Sequence, residues 1–260
     1  PGLPLTHGGV LQLQVGTLRK RIPVQFAASS RVWSDYEIIM PWYGPRSYQP
    51  WTPALDEQFR KIGITTLADS GRNFKIIASV HEPTFGIYWY RKEEYEKRKA
   101  EYLRTQDKSF VRRNISLHSP SLLDDMRRRF HERVGDIVPL KPFAYYLADE
   151  SSLTCYADAF DVDFSPEDLT AFREWLKSEY NTLEDLNRSW GTSFVEWESV
   201  MPMTSPEAQA HGNYASWSDH RVFMEEAFVR TIGEAGRVAR GFDPEARAAF
   251  SGTQIPGPHN

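Results

Sequence analysis

The chain has 260 residues, 40% of them hydrophobic and 25% charged, an ordinary globular composition with enough length for one large domain and a sizeable core. Its formal net charge of -4 at pH 7 sets up no basic field to collect phosphate backbones, so no nucleic acid partner is expected. The longest apolar runs, such as Phe143 to Ala148, are far too short to cross a bilayer, so no membrane partner is expected either, and the single cysteine, Cys155, excludes an internal disulfide and a zinc-ribbon spacing.

In chain order, Leu11 to Phe26 alternates loosely around Gly16 and predicts a hairpin or edge strands, so residues 1–30 read as a peripheral segment and 31–260 as the main domain. Tyr36 to Met40 has the pattern of a buried first strand, stopped by Pro41 and opening into Trp42-Tyr43-Gly44. Thr52-Pro53 starts a helix in which Leu55, Phe59 and Ile62 recur until Gly63. Ile64 to Ala68 and Phe74 to Val80 read as the second and third strands, ending at Asp69 and at His81-Glu82-Pro83. Only Asp69 to Asn73 separates them, where a parallel crossover takes about a dozen residues or more. Either a helix is missing here or one of the two strand assignments is wrong.

Arg91 to Thr105 is a charged stretch whose only large apolar members are tyrosines and Leu103, which predicts a solvated surface helix. Ser119-Pro120 opens an amphipathic helix with Leu122, Leu123, Met126, Phe130 and Val134 inward, closed by Gly135. Phe143 to Ala148 is then a fourth strand that runs directly into Asp149-Glu150. Ser165-Pro166 caps a helix carrying Leu169, Phe172, Leu176 and Tyr180, and Thr182 caps another carrying Leu183, Leu186 and Trp190. These form a helical insertion over about residues 151–216. A long helix from Ser218 to Arg240 and a fifth strand at Ala248 to Ser251 follow.

Alternating strands and helices predict an α/β fold, a (β/α)8 TIM barrel of which this chain supplies strands 1 to about 5. Chemistry on that fold sits at the C-terminal strand ends, so Trp42, Tyr43, Asp69, His81, Glu82, Asp149 and Glu150 are expected to face one mouth. The aromatic share of 13% suits such a mouth, because rings that fill cores also stack on the C–H faces of sugars. Strand-end carboxylates have a blander use, however, as caps for the following helix. Glycoside hydrolysis gives these residue types a reason to meet: one carboxylic acid protonates the leaving oxygen while a second carboxylate attacks or activates water. Glu150, at the tip of an apolar strand beside Asp149, is the candidate acid/base. His81 next to Glu82 invites a metal reading, but no second histidine stands at matching spacing, so hydrogen bonding is preferred and no metal is expected.

Three pieces of the chain also match a known pattern: Phe143-Ala144-Tyr145-Tyr146-Leu147-Ala148-Asp149-Glu150, then Ala171-Phe172-Arg173-Glu174-Trp175-Leu176-Lys177, then Leu186-Asn187-Arg188-Ser189-Trp190-Gly191-Thr192-Ser193-Phe194. In order and spacing they resemble the family 42 glycoside hydrolases, mostly β-galactosidases, and Arg113 to Pro120 with His118 is similar to that family's approach to the fourth helix. The resemblance implies a retaining exo-β-glycosidase that removes terminal sugars of oligo- or polysaccharides, with Glu150 as acid/base and no cofactor. It adds Arg113, His118 and Trp190 to Asp149, Trp42, Tyr43, His81 and Glu82 as substrate-binding candidates, and it implies a homo-oligomer. The family's nucleophile, a glutamate ending strand seven, is expected beyond residue 260. Two departures stand out. Asp149 replaces the family's Asn and, when ionised, accepts but cannot donate a hydrogen bond; and Cys155 stands alone where metal-binding members carry several cysteines, so no structural zinc is expected. Two other classes stay open: a catalytically inactive carbohydrate-binding barrel, favoured by Asp149, and a metal-dependent barrel hydrolase using His81, Glu82 and His118.

Overall fold

The period-2 stretch at the N-terminus forms a hairpin, β1 (Leu5–Val15) antiparallel to β2 (Leu18–Ala28), in which Val15 faces Leu18 across a two-residue turn. Gly16 takes φ 60 there, the left-handed conformation that tight hairpin turns demand and that glycine adopts without a Cβ clash. The computed structural model describes residues 5–28, 38–40, 52–69, 74–85, 92–154 and 163–251, and the chain divides into two compact units, Pro1–Ile38 and Ile39–Asn260. Trp42, Tyr43 and Cys155 lie outside the described residues.

The second unit is built on five parallel strands in sequential order: β3 (Ile39–Met40), β4 (Thr66–Ala68), β5 (Lys75–Ser79), β6 (Ala144–Asp149) and β7 (Ala248–Ser251). Between them run α1 (Thr52–Lys61), α2 (Lys92–Thr105), α3 (Leu122–Val134), α4 (Pro166–Glu179), α5 (Leu183–Trp190), α6 (Ser205–His211) and α7 (Ala215–Phe242). Neighbouring strands that follow one another in sequence, all parallel, with helices packed outside, make part of a (β/α)8 barrel, as the alternation of elements predicted. Side chains alternate across the sheet. Ala78, Val80, Tyr145 and Leu147 pack with Met126, Phe130 and Val134 of α3 and Ala235, Val238 and Ala239 of α7, whereas Ile77, Ala144 and Tyr146 form a separate cluster. A larger core joins the insertion helices to α7 through Phe172, Leu176, Leu186, Trp190, Phe223 and Met224.

Local signals explain where these helices start. Ser165 accepts from the Asp168 amide at 3.3 Å ahead of Pro166 in α4, and Thr182 accepts from the Asp185 amide at 3.1 Å ahead of α5. Gly191, at φ 68, closes α5.

Three expectations change. First, neither strand assignment flanking the short interval is wrong: β4 and β5 are parallel neighbours, with Thr66 opposite Lys75 and Ala68 opposite Ile77. A strand of three residues rises only about 10 Å. The six residues Asp69 to Phe74 can span up to roughly 20 Å, so this return needs no helix. Second, α2 is not a solvated rod, because Tyr95 and Tyr102, two turns apart on one face, are buried and the Tyr102 hydroxyl is hydrogen-bonded to the Thr204 hydroxyl. Third, the long helix begins earlier than its apolar pattern suggests and runs 28 residues.

Candidate active site

Three consecutive strands of the barrel end on a polar residue in left-handed backbone: Asp69 after β4 with φ 50, His81 after β5 with φ 49, and Glu150 after β6 with φ 46. None is glycine, and such a conformation costs a non-glycine residue on the order of 1–3 kcal/mol unless the surroundings enforce it. The surroundings here do. The Asp69 carboxylate accepts from the Ser79 amide at 2.7 Å, tying the end of β4 to the end of β5. The Val80 amide donates to Tyr146 O at 2.8 Å and the Glu82 amide to Leu147 O at 2.7 Å, so the pairing with β6 continues past the end of β5. On its other side, β6 shifts register against β7 between Tyr146 and Ala148, a bulge that turns the residues following it.

Asp69 and His81 are exposed, Asp149 and Glu150 are half-buried, and all four lie at the C-terminal edge of the parallel sheet. The His81 ring stands edge-on to Tyr146, with centroids 5.5 Å apart. Carboxyl groups and an imidazole presented this way can exchange protons and hydrogen-bond a polyol, as acid/base chemistry on a sugar requires.

Other candidates are placed elsewhere. Glu82 points away from solvent: its carboxylate takes two bonds from Arg129 of α3, at 2.8 and 3.1 Å, and another from the Thr84 hydroxyl at 2.6 Å. It is a strut between helix and strand tip and has no edge left for a sugar. Arg113 is buried, and its guanidinium donates to the backbone carbonyls of Thr84 at 2.6 Å, of Ile115 at 3.2 Å and of Leu153. It binds the loops after β5 and β6 to each other. Trp190 is fully enclosed, stacked near Phe172, with its indole N–H donating to Asp219 at 2.7 Å, so no ring face is available for stacking on a ligand.

His118 belongs to the helical layer. It stacks on Phe223 with centroids 4.9 Å apart, and its Nδ1 lies 2.8 Å from the Asp168 carboxylate. Arg230 donates to its Nε2 at 2.8 Å; arginine cannot accept, so the ring proton sits on Nδ1 and is given to Asp168. His220 meets the other oxygen of Asp168 at 3.3 Å. Burial pushes the Asp168 carboxyl up, but the hydrogen bonds from His118 and His220 outweigh it and hold the group below the usual carboxylate value. Asp163 nearby goes the other way: burial, reinforced by the charge of Asp168, raises it despite bonds from Ser165 and the charge of Arg113. The metal constellation of His81, Glu82 and His118 is therefore not assembled, and among the described residues no group of three or more His, Cys, Asp or Glu is arranged to hold an ion. A cavity of about 360 Å³, lined by Arg127, Glu234, Arg237, Val238, Gly241 and Phe242, lies on the α3 and α7 side and contains none of the candidates.

Sequence reasoning missed Arg129, Asp168 and His220. Asp168 carries a visible signal as the third residue of a capped helix, but nothing local marks Arg129 as the partner of a residue 47 positions away.

Comparison with known proteins agrees with the sequence resemblance. A family model for glycoside hydrolase 42, described as Beta-galactosidase, matches residues 144–248, a span that contains Asp149 and Glu150. The beta-galactosidase BgaB of Geobacillus sp. (strain Y412MC61) is 30% identical over 80 residues, covering 29% of this chain and 12% of the relative. The beta-galactosidase BglY of Alicyclobacillus acidocaldarius is 42% identical over 53 residues, covering 18% of this chain and 8% of the relative. The chain therefore matches only a small part of the length of these curated relatives. Among solved structures, the beta-galactosidase of the psychrophilic Marinomonas ef1 superposes with a TM-score of 0.50 at 16% identity, over 83% of this chain and 37% of that one. An agarase superposes with a TM-score of 0.55 at 12% identity, over 97% of this chain and 36% of that one. These superpositions agree with the barrel fold; the family match rests on the region that carries Glu150.

Proposed function

We propose that this chain is part of a glycoside hydrolase of the β-galactosidase type, a retaining exo-β-glycosidase, in which Glu150 is the acid/base. The reading is carried by Glu150 itself. It stands in a left-handed conformation at the tip of β6, on the edge shared with Asp69 and His81, inside the segment that matches the β-galactosidase model. In the first step its protonated carboxyl gives a proton to the glycosidic oxygen as the bond to the anomeric carbon breaks and a second carboxylate takes the sugar as an ester. In the second step the Glu150 carboxylate removes a proton from the water that displaces that ester. Asp149 accepts a hydrogen bond from a sugar hydroxyl, and the exposed His81 ring supplies another polar contact. The second carboxylate is not assigned to a residue of this chain.

Substituting Glu150→Gln in the protein produced from its complete reading frame tests the proposal. On phenyl β-galactoside, whose leaving group needs a proton, kcat/KM should fall by about 10²–10⁴-fold. On a dinitrophenyl β-galactoside, which leaves unaided, it should change little, and the melting temperature should stay within about a degree. Undiminished turnover of the phenyl substrate by a folded variant would rule Glu150 out.

A further inference from the structure

The residues that hold Glu150 in place are not its neighbours in sequence. Glu150 lies on a short arch that begins with the last residues of β6, where Ala148 and Asp149 pair with β7, and runs to Ser151, between two residues bonded to one turn after β5. Leu147 accepts from the Glu82 amide at 2.7 Å, and the Ser152 amide donates to Phe85 O at 2.9 Å. Whatever fixes the turn at residues 82–85 therefore fixes both feet of the arch. What fixes it is an ion pair reaching in from the helical layer. Both Glu82 oxygens are held by the planar fork of Arg129, and Oε1 also accepts from the Thr84 hydroxyl and, at 3.3 Å, from the Thr84 amide. The Glu82 side chain is 3% exposed and that of Arg129 19%, so the pair is desolvated, with several donors to offset the cost.

We propose that Glu82 and Arg129 are positioning residues for the acid/base: their buried pair locks the 82–85 turn, and the turn holds Glu150 in its left-handed conformation, aimed at the leaving oxygen. This rests on the glycosidase reading above and specifies how that site is kept in register. It accounts for a feature that substrate binding does not, namely a glutamate beside an exposed histidine at a strand tip that faces the helix instead of the mouth. A left-handed glutamate relaxes to ordinary backbone when its anchors loosen, and proton donation is lost when a carboxyl moves by about 1 Å. The pair therefore acts on the step that needs the proton and leaves sugar binding alone.

The test measures kcat/KM for the phenyl and dinitrophenyl β-galactosides with Glu82→Gln and, because loss of a buried charge can unfold a domain, with Arg129→Lys, which keeps the charge and loses the fork. Each variant should lose about tenfold or more in kcat/KM on the phenyl substrate and less than about twofold on the dinitrophenyl one, where kcat and KM fall together because the second step also relies on Glu150. Equal losses on both substrates, or no loss in a folded variant, would overturn the positioning role. Glu150→Gln run alongside separates the two failures: if it discriminates between the substrates and the Glu82 and Arg129 variants do not, only the positioning inference falls. If Glu150→Gln fails to discriminate, the glycosidase reading falls and takes this inference with it.

Discussion

The helical layer around Trp190 and the tips of β4, β5 and β6 are made from the same residue types and use them in opposite ways. In the layer, His118 and His220 share the buried Asp168 carboxylate, and Trp190 is enclosed with its N–H on Asp219. At the tips, Asp69 and His81 are exposed, Asp149 and Glu150 are half-buried, and three of these four have their backbone in the left-handed region. A histidine, a carboxylate or a tryptophan does not mark a site by its type. What separates the two regions is whether the surroundings satisfy the side chain or bend the backbone to present it.

The sharpest way to break this comparison is at Trp190. If it belongs to the core, Trp190→Ala should cost about 3–5 kcal/mol through lost packing and a cavity, read as a clear drop in the denaturation midpoint, while kcat and KM of the folded fraction stay unchanged. A raised KM without loss of stability would instead move Trp190 to the ligand and erase the distinction.

Asp168 gives the next largest effect and a pH signature. Its carboxyl is held below the ordinary value of 3.8, so its ionised form stabilises the fold above that value, and the contribution is lost as pH falls through the depressed folded-state value. Asp163 is raised, so keeping it ionised costs stability at neutral pH and acidification relieves that cost. Asp168→Asn should therefore destabilise by about 2–4 kcal/mol at pH 7, with the deficit shrinking toward pH 3, whereas Asp163→Asn should cost less at pH 7 than at pH 4. Urea unfolding over that pH range checks both slopes; parallel curves would mean that the two carboxylates are not distinguished by burial and partners as described.

The sequence was most readable where periodicity and burial coincide. Phe143 to Ala148, the apolar stripe of α3, and the Ser165 and Thr182 caps each announced their elements, because one short window holds the whole signal. The candidate site was half legible. A strand running into Asp149-Glu150 is a local pattern, and so is the segment that resembles family 42. The left-handed φ of Asp69, His81 and Glu150 was hidden, since glycine or asparagine would have signalled it and none of the three is either. Glu82 misled for a related reason: beside His81 it looks like a mouth residue, and only packing across 47 positions reveals Arg129. Trp190 was legible from its helix, where it continues the face of Leu183 and Leu186, whereas the family resemblance that adds it to the binding candidates does not tell a core ring from a site ring.

The smallest effect probes the strand tips directly. At φ 49, His81 holds a conformation that glycine adopts without a side-chain clash, and its exposed ring makes one edge contact with Tyr146. Replacing it with glycine removes that contact and enlarges the conformational entropy of the unfolded chain, and both losses oppose the relief of strain. The balance expected for His81→Gly is a stability change within about 1 kcal/mol, on the favourable side, together with a few-fold fall in kcat/KM on the phenyl β-galactoside. A core residue cannot give that combination, because removing its side chain leaves a hole. If His81→Gly destabilised the protein by as much as Trp190→Ala, the strand tips would be ordinary packing and the contrast between the two regions would be lost.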